Sequence, residues 1–371
     1  MIKRFVPTKK GYKTRIYPNQ EQKELINKTI GSCRWVYNYF LEKAKINGYE
    51  SKTKYIKQLP QLKNEHVWLK EVDSIALQQA VRDLDQAFQN FFDGKQNYPQ
   101  FKSKKHSRLS YRTQYFKRSS GTESIEIQNN KIKLPKLSWI EFNKHQEVKG
   151  NILNVTVSKE IDKYYISINL KDVIVTEVNY NQGEIGIDLG IKDFAITSDS
   201  EKIENPRHLQ KYQDKLVRLQ KKLARKEEGS NNWQKVKQKI VKLHRKIKNV
   251  RKDFLHKLST RLVKENQLIA IENLNIKGML KNSKLAKHIQ DVSWSKFVNM
   301  LEYKGKWYNC IVEKVNNFFP SSQTCSECGK KNPKVKDLSV RNWVCKCGAT
   351  HDRDLNASLN ILKQAKKQLA D

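Results

Sequence analysis

Three carboxylates stand in sequence settings that suit a shared metal site. Asp188 ends the run Ile185-Gly-Ile, and Glu272 ends the run Leu268-Ile-Ala-Ile. Both runs are short and apolar, which predicts buried strands. Asp354 begins a predicted helix, and two strand ends and a helix start can meet at one edge of an α/β sheet.

Carboxylate oxygens are the ligands that Mg²⁺ prefers, and three carboxylates can hold two ions that flank a scissile phosphate. One ion would activate the attacking water, and the other would stabilise the leaving 3′ oxygen. We therefore predict that Asp188, Glu272 and Asp354 form one site for two Mg²⁺ ions. A single acid after a strand is usually a cap or a surface residue, so the prediction rests on the three together. Asp352 is the nearby alternative to Asp354 as the third acid. We expect it to contact the metal-binding residues rather than the metal ions.

Four of the six cysteines lie in two tight pairs directly before the last acid. Two residues separate Cys325 from Cys328, sixteen follow, and one residue separates Cys345 from Cys347. Such pairs indicate a metal rather than disulfides. They match a four-thiolate ribbon for one zinc ion, with the second pair one residue tighter than usual, and His351 is an alternative ligand. With no open coordination position, this zinc would be structural.

The composition is strongly basic. The 371 residues include 73 Lys and Arg against 38 Asp and Glu, a net charge of +35. Such a surplus causes self-repulsion unless a polyanion neutralises it, so nucleic acid is the leading partner. An anionic membrane is the rival, but no apolar run approaches the ~20 residues of a spanning helix. The first ten residues lack the apolar core of a signal peptide, and we expect a cytoplasmic protein.

Helices are predicted in the first third of the chain. Asn19 can cap a helix that runs to about Gly48, and Asp73 or Ser74 can cap another with an apolar stripe. The alternating run Lys13-Thr-Arg-Ile-Tyr-Pro18 predicts a strand before them.

Basic residues then alternate with aromatic ones after residue 94. This pattern suits phosphate contacts and base stacking. A solvated loop is the alternative, but the surplus charge must meet a polyanion somewhere, which favours nucleic acid. The predicted contacts in this segment are Lys102, Lys104, Lys105, Arg108 and Arg112.

The remaining elements surround the acids. Short alternating runs between residues 123 and 180 predict an antiparallel sheet or small barrel. A strand at Phe194-Ala-Ile-Thr197 follows the first acid after a glycine turn. Residues 207–264 predict a helical hairpin that turns at Gly229-Ser-Asn-Asn232 and contains 20 Lys or Arg against 4 Asp or Glu. That imbalance also favours a nucleic-acid backbone as the partner.

The same residues carry a resemblance to a known family. The sequence resembles the TnpB proteins, which are transposon-encoded RNA-guided nucleases related to the type V CRISPR effectors. The resemblance extends through nearly the whole chain, and such a set in this order is highly specific. The segments that carry it are Gly31-Ser-Cys-Arg-Trp-Val-Tyr-Asn38, Ala87-Phe-Gln-Asn-Phe-Phe92, Pro99-Gln-Phe-Lys-Ser-Lys104, Gly186-Ile-Asp-Leu-Gly190, Glu272-Asn-Leu, Phe319-Pro-Ser-Ser-Gln-Thr-Cys325 and Asp352-Arg-Asp-Leu-Asn-Ala357.

The resemblance implies an α+β multidomain fold. It implies a RuvC-like nuclease domain of the RNase H-like fold, with an inserted zinc ribbon and with Asp188, Glu272 and Asp354 as catalytic acids. It also implies an N-terminal β-barrel interrupted by a helical recognition region. The expected boundaries are 1–18 and 111–180 for the barrel, 19–110 for the recognition region, 181–320 for the nuclease domain, 321–350 for the ribbon and 351–371 for the last nuclease segment.

The implied function is Mg²⁺-dependent, RNA-guided cleavage of double-stranded DNA in a prokaryotic cytoplasm. A structured RNA from the transposon end would supply the guide, and a short target-adjacent motif would license DNA opening. Gln78, Gln79 and Arg82 are the expected motif readers. Two alternatives stay open: a guided repressor or scaffold that does not cut, and a carboxylate-triad transposase that works without RNA.

Overall fold

The computed structural model describes residues 8–145, 147–173, 183–279, 281, 286, 289, 291–316, 318–337 and 339–370. The chain forms two compact units, residues 1–175 and 176–371. Each unit has its own apolar core.

Among the described residues of the first unit, three α-helices follow one another. These are α1 (Gln20–Asn47), α2 (Lys52–Glu65) and α3 (Ser74–Phe92). Asn19 caps α1 as predicted, because its side chain accepts from the Gln22 N–H while the Gln22 side chain accepts from the Asn19 N–H. Asp73 caps α3 by accepting from the Ile75 N–H at 2.9 Å. Two orphan N–H groups of α1 are thus paired, which fixes where it begins.

The sheet of the first unit is antiparallel, as predicted, with the order β2-β6-β7-β1-β5-β4-β3. Its edge strands are connected beyond their ends by a bridge between Lys117 and Glu123 and by a 3.0 Å bond from the Ser124 N–H to the Phe116 carbonyl. The strands are β1 (Thr8–Tyr17), β2 (Ser110–Gln114), β3 (Glu126–Gln128), β4 (Lys131–Leu134), β5 (Ser138–Phe142), β6 (Asn151–Glu160) and β7 (Lys163–Val173).

The second unit contains a mixed sheet with the order β10-β9-β8-β11-β12. The pairs β10/β9 and β9/β8 are antiparallel, whereas β8, β11 and β12 run parallel to one another. The carboxyl ends of the three parallel strands therefore meet at one edge of the sheet. The strands are β8 (Gly183–Leu189), β9 (Asp193–Thr197), β10 (Lys202–Glu204), β11 (Asn266–Glu272) and β12 (Ile311–Val315).

The helices of this unit include the predicted hairpin, α4 (His208–Ala224) and α5 (Asn231–Glu265). They also include the short α6 (Ile276–Met279), α7 (Trp294–Tyr308) and α8 (Arg353–Ala370). The hairpin β13 (Asn342–Val344) and β14 (Thr350–Asp352) leads into α8. None of the helices in the described part of the chain combines the length and apolarity that crossing a bilayer requires.

Several elements differ from the sequence prediction. Helix α2 was not predicted, and it contains Pro60, a residue that normally breaks a helix. Its apolar residues Tyr55, Leu59 and Leu62 are buried, so tertiary packing outweighs the proline. Strand β10 was also missed, and β1 begins five residues earlier than the run at Lys13 suggested.

The lowered pKa of Lys304 on α7 predicts a pH-dependent stability for the second unit. Lys304 is 3% exposed, and its Nζ donates to the His256 carbonyl, Ser259 Oγ and Thr260 Oγ1, each at 2.7 Å. Burial lowers its pKa from the ordinary 10.5 to about 8. Between those values the unfolded chain binds a proton that the folded chain has released, so this lysine makes stability rise with pH.

We expect the unfolding free energy of the wild type to rise relative to Lys304→Met by up to about 1.4 kcal/mol per pH unit above pH 8. Denaturant unfolding at pH 7, 8, 9 and 10 measures this difference. The matched control is Lys306→Met, since Lys306 is exposed on the same helix. Parallel pH profiles for the wild type and Lys304→Met would contradict the expectation.

Candidate metal centres

The ends of two parallel strands bring the first two acids side by side. In the ladder between β8 and β11, Ile187 pairs with Ile271, so Asp188 and Glu272 occupy the next positions on adjacent strands. Parallel neighbours in register point to the same face, and adjacent strands lie about 4.8 Å apart. The two carboxylates therefore share one face at the carboxyl edge of the sheet.

Helix α8 packs across that same face and carries the third acid. Gly186 lies two residues before Asp188 and so faces the same way. A Cβ at Gly186 would lie 2.1 Å from the Ser358 carbonyl oxygen of α8. Asp354 lies one helical turn before Ser358, on the same face of the helix. Ala270, two residues before Glu272, packs in the same cluster as Ile361 and Ala365 of α8.

The three acids, which we call the acid triad (Asp188, Glu272 and Asp354), interact electrostatically. The pKa of Asp188 is raised to about 7, first by burial and then by the negative charges of Asp354 and Glu272. The positive charge of Arg353 opposes this rise. Burial also raises the pKa of Glu272. A site that gathers buried negative charge in this way fits a divalent cation.

Glycine at position 186 is required by the close approach of α8. We expect Gly186→Ala to push α8 away by about 1 Å and to cost roughly 3 kcal/mol, because the clash is with backbone. Since α8 carries Asp354, any catalytic activity of the acid triad should fall by about 100-fold, more than unfolding explains. Thermal melting and a cleavage assay on the same preparation measure both effects.

The matched control for Gly186→Ala is Gly31→Ala in α1. No atom lies within 4 Å of a Cβ at that position, so the same substitution meets open space. It should be neutral or stabilise by about 0.5–1 kcal/mol. If Gly186→Ala kept wild-type stability and activity, the close packing of α8 on β8 would be wrong.

Asp352 caps α8. Its Oδ1 accepts from the backbone N–H of Asp354 at 3.0 Å and of Leu355 at 3.1 Å, and its Oδ2 accepts from Lys202 Nζ at 3.1 Å. Asp352 thus holds the first turn of the helix that presents Asp354, which is the supporting position that the sequence suggested.

Arg341 was not identified from the sequence. Its Nη1 lies 3.0 Å from Asp354 Oδ2, and its carbonyl accepts from the Arg353 N–H at 2.7 Å. Arg353 in turn donates from Nη1 to the Asp337 carbonyl at 2.7 Å. Both arginines bring positive charge to the acid triad. No sequence pattern marks Arg341, because it stands in a loop four residues before Cys345.

The four paired cysteines form one cluster, which we call the thiol quartet (Cys325, Cys328, Cys345 and Cys347). Their sulfur atoms all lie within 4.8 Å of one another. Cys325 Sγ is 3.7 Å from Cys347 Sγ, and Cys328 Sγ is 3.6 Å from Cys345 Sγ. Four sulfurs converging on one point fit a tetrahedral zinc site.

The environment of Cys325 favours the thiolate that zinc needs. Burial raises its pKa, but hydrogen bonds, first those from the backbone N–H groups of Cys328 and Glu327, outweigh burial and lower the pKa to about 6. His351 Nε2 lies 3.1 Å from Cys325 Sγ, and its ring packs 4.5 Å from that of Trp343. His351 therefore stands beside the thiol quartet as a hydrogen-bonding partner of one sulfur.

The remaining cysteines are buried away from the quartet. Cys310 is 7% exposed, and burial raises the pKa of its thiol to about 12. Burial also raises the pKa of the Cys33 thiol. Both are therefore unreactive thiols.

The expected motif readers lie on α3 of the first unit. Gln79 is 3% exposed and its Nε2 has no hydrogen-bond partner among the described residues. Arg82 Nη1 donates to Gln114 Oε1 at 2.9 Å, and Gln78 is partly exposed. An unpaired buried amide is costly, so the Gln79 side chain has a donor to spare for a ligand.

The basic segment after residue 94 borders a cavity of about 330 Å³ within the first unit. Lys102 lies over the Tyr37 ring at 3.7 Å, and burial lowers its pKa. Arg112 forms an ion pair with Asp83. Lys104 and Lys105 are exposed at the surface. The expected contact residues that line the cavity are Gln79, Lys102, Arg108 and Arg112.

The basic hairpin of the second unit is largely solvent-exposed. Every residue of α4 is at least partly exposed, and α5 buries one apolar stripe that includes Leu255, Leu258 and Leu262. Exposed lysines and arginines along two helices provide a long positive surface that suits a phosphate backbone.

Solved structures define the class of protein. This chain aligns with a chain of the "Cryo-EM structure of the Cas12f1-sgRNA-target DNA complex" at a TM-score of 0.63, with 13% identity, over 96% of this chain and 98% of that one. The protein therefore has the mixed α/β fold of Cas12f1-like chains.

Family models and relatives give the family. Models described as "Probable transposase", "Cas12f1-like, TNB domain" and "Helix-turn-helix domain" match residues 154–283, 294–361 and 8–53. A "Putative RNA-guided DNA endonuclease" of Streptomyces pristinaespiralis is 38% identical over 95% of this chain and 89% of its own length. InsQ of Escherichia coli strain K12 has the same description and is 34% identical over 97% of this chain and 93% of its own length. The TnpB-like protein L79 of Acanthamoeba polyphaga mimivirus is 29% identical over 50% of this chain and 38% of its own length.

The chain belongs to the TnpB family. The family resemblance found in the sequence is thereby confirmed. In the structure, the residues that match the helix-turn-helix model contain strand β1 and the long helix α1 rather than two short helices joined by a turn.

Proposed function

We propose that this protein is a transposon-encoded, RNA-guided DNA endonuclease that cuts target DNA beside a short adjacent motif. The observation that carries the proposal is that Asp354 and Glu272 both act electrostatically on Asp188, at a place where α8 packs closely against Gly186. Two bacterial relatives carry the description "Putative RNA-guided DNA endonuclease", which supports the same activity for this chain.

The acid triad is the proposed catalytic site. Two Mg²⁺ ions held there would activate the attacking water and stabilise the leaving 3′ oxygen. The donor set fits these ions, because it consists of carboxylates, and burial together with the negative charges of Asp354 and Glu272 raises the pKa of Asp188. Arg341 adds a cation beside Asp354.

The domain assignment follows from this role. The second unit is a RuvC-like nuclease domain of the RNase H-like fold, at residues 181–320 and 351–371, with the ribbon at 321–350. This assignment is supported by the five-stranded sheet, in which β10, β9 and β8 are antiparallel and β11 and β12 run parallel to β8. Asp188 and Glu272 stand at the ends of two of these strands. Residues 1–18 and 111–180 form the barrel domain, and residues 19–110 form the recognition region. The connection between the two edge strands, at Lys117 and Glu123, supports a barrel.

The proposed partners are a guide RNA and double-stranded target DNA. The net charge of +35 and the exposed basic hairpin supply the phosphate contacts. Gln78, Gln79 and Arg82, with the basic residues around the cavity, are the proposed contacts to the adjacent motif. The spare amide donor of Gln79 supports this role, since it can be paired by an acceptor on a base edge.

The thiol quartet holds one structural zinc ion in this proposal. Four thiolates leave no open position for a substrate, so the ion supports the ribbon and not the chemistry. The protein would act on DNA in the cytoplasm of a prokaryote.

The experiment that tests the function is to express the protein with its native flanking DNA and sequence the RNA that co-purifies. A discrete RNA with a constant scaffold and a variable 3′ end is expected. Heterogeneous cellular RNA would favour general nucleic-acid binding. Specific cutting of element ends that survives RNase treatment would identify a transposase, and guided binding without products would identify a repressor.

A further inference from the structure

Two buried asparagines on α8 bond to the backbone on either side of the first cysteine of the thiol quartet. Asn356 is fully buried and Asn360 is 4% exposed. They lie four residues apart, so they project from the same face of the helix. Both side chains point to the segment that enters the ribbon, and they contact its backbone rather than other side chains.

The contacts surround Cys325 on both sides. Asn356 Nδ2 and Asn360 Nδ2 donate to the Thr324 carbonyl at 2.7 and 2.6 Å. Asn356 Oδ1 accepts from the Ser326 N–H at 2.9 Å. Asn360 Nδ2 also donates to the Ser321 carbonyl at 2.8 Å. We call Asn356 and Asn360 the asparagine clamp.

A second connection joins Cys325 to the start of the same helix. His351 Nε2 lies 3.1 Å from Cys325 Sγ. The next residue, Asp352, accepts from the Asp354 N–H and so fixes the first turn of α8. Along the chain, Asp354 therefore lies between two residues that connect α8 to the Cys325 segment. His351 precedes it and contacts the Cys325 sulfur, and Asn356 follows it and bonds to the backbone on both sides of Cys325.

We propose that Asn356 and Asn360 are positioning residues that make the affinity of the acid triad for divalent ions depend on the fold of the thiol quartet. The inference rests on the proposed function for the identity of the acid triad. It goes further, because it assigns the ribbon a quantitative role at a different site.

The physical reason is that both asparagines are buried and bonded to the backbone through their side-chain amides. When the quartet is folded, the buried side-chain amides of Asn356 and Asn360 are paired with the backbone at Ser321, Thr324 and Ser326. When the quartet is lost, these amides and carbonyls lose partners inside the protein, which is costly, and the entering segment moves away. The first turn of α8 then frays as a free helix end does, and Asp354 is no longer held over Asp188.

The test measures Mn²⁺ binding by electron paramagnetic resonance in the full chain. Mn²⁺ prefers oxygen ligands, so it reports the acid triad and not the thiols. The quantity compared is the Mn²⁺ binding that is lost in Asp188→Asn. Subtracting the binding that remains in Asp188→Asn removes the Mn²⁺ bound to any co-purified RNA. The variants are Asn360→Asp and Asn356→Asp, which keep the side-chain shape and replace the donating amide by a carboxylate facing a carbonyl. Gln368→Glu, exposed on the same helix, is the matched control for the added charge.

The clamp variants should retain zinc by elemental analysis and bind Mn²⁺ about 10-fold or more weakly, as when a ligand-supporting contact is removed. Their cleavage rate should recover in part at saturating Mn²⁺, because the ligands themselves are intact. Gln368→Glu should match the wild type. Unchanged Mn²⁺ affinity in zinc-loaded Asn360→Asp would overturn the proposal.

A second measurement serves if the variants do not fold. Wild-type protein is stripped of zinc with a mercurial and desalted, and Mn²⁺ binding is measured again. A loss of Asp188-dependent binding is expected, and unchanged binding would overturn the proposal. Failure of the proposed function is distinguishable, since a protein that binds Mn²⁺ through Asp188 but cuts no DNA would leave the coupling intact.

Discussion

Asp188→Asn should still bind guide RNA and target DNA, yet cut the DNA at least about 10³-fold more slowly than the wild type. Losing one of the carboxylates that we propose to hold the metal ions should remove several kcal/mol of transition-state stabilisation, and each 1.36 kcal/mol is a factor of ten in rate. The amide keeps the shape of the side chain but removes its charge. Because that charge is buried and repelled by Asp354 and Glu272, the variant should be at least as thermally stable as the wild type.

The measurement pairs a single-turnover cleavage rate with filter binding of labelled DNA on the same complex. Asp253→Asn is the matched control, because Asp253 is an exposed acid whose ion pair with Lys257 contributes little. If the protein were a guided repressor, the wild type and Asp188→Asn would bind DNA equally and neither would cut it. Cleavage that survives in Asp188→Asn would remove the acid triad from the mechanism.

Cys325→Ser should lose zinc and unfold the ribbon. Structural zinc contributes apparent binding energies of about 10–16 kcal/mol in small zinc domains, so loss of one thiolate is enough to weaken a segment this small. Cys325 is also the cysteine that the asparagine clamp and His351 hold. We therefore expect loss of cleavage together with an early melting transition confined to the second unit.

Zinc content by elemental analysis and melting by calorimetry measure the effect of Cys325→Ser. Cys310→Ala is the matched control, since it removes a buried thiol outside the quartet and should keep the full zinc content. Unchanged zinc content and melting in Cys325→Ser would contradict the ribbon assignment.

The sequence predicted the elements around the acid triad because strong local patterns encode them. The runs before Asp188 and Glu272 are apolar throughout, which is typical of strands buried on both faces. The glycine turn after β8 and the cap of α1 at Asn19 are likewise short-range signals. Strand direction then brings the two acids together, since the carboxyl ends of parallel neighbours share an edge.

The contacts that sequence reasoning missed depend on packing between distant segments. Arg341 has no periodic neighbour to mark it, and only the fold of the ribbon places it on Asp354. Asn356 and Asn360 carry a weak signal, a pair of amides four residues apart within an apolar helix face, but their partners lie 30 or more residues away. Gln79 looked like a surface reader, whereas it is buried beside a cavity.

Guide-directed cleavage tests the central claim most directly. The purified protein is loaded with two RNAs that share one scaffold and differ only in the guide segment, and each complex is given DNA that matches one guide or the other beside the adjacent motif. We expect each complex to cut only the DNA that its own guide matches, with no products after Asp188→Asn or RNase treatment. Cutting that ignores the guide, or no cutting by a complex that binds its matched DNA, would contradict the account.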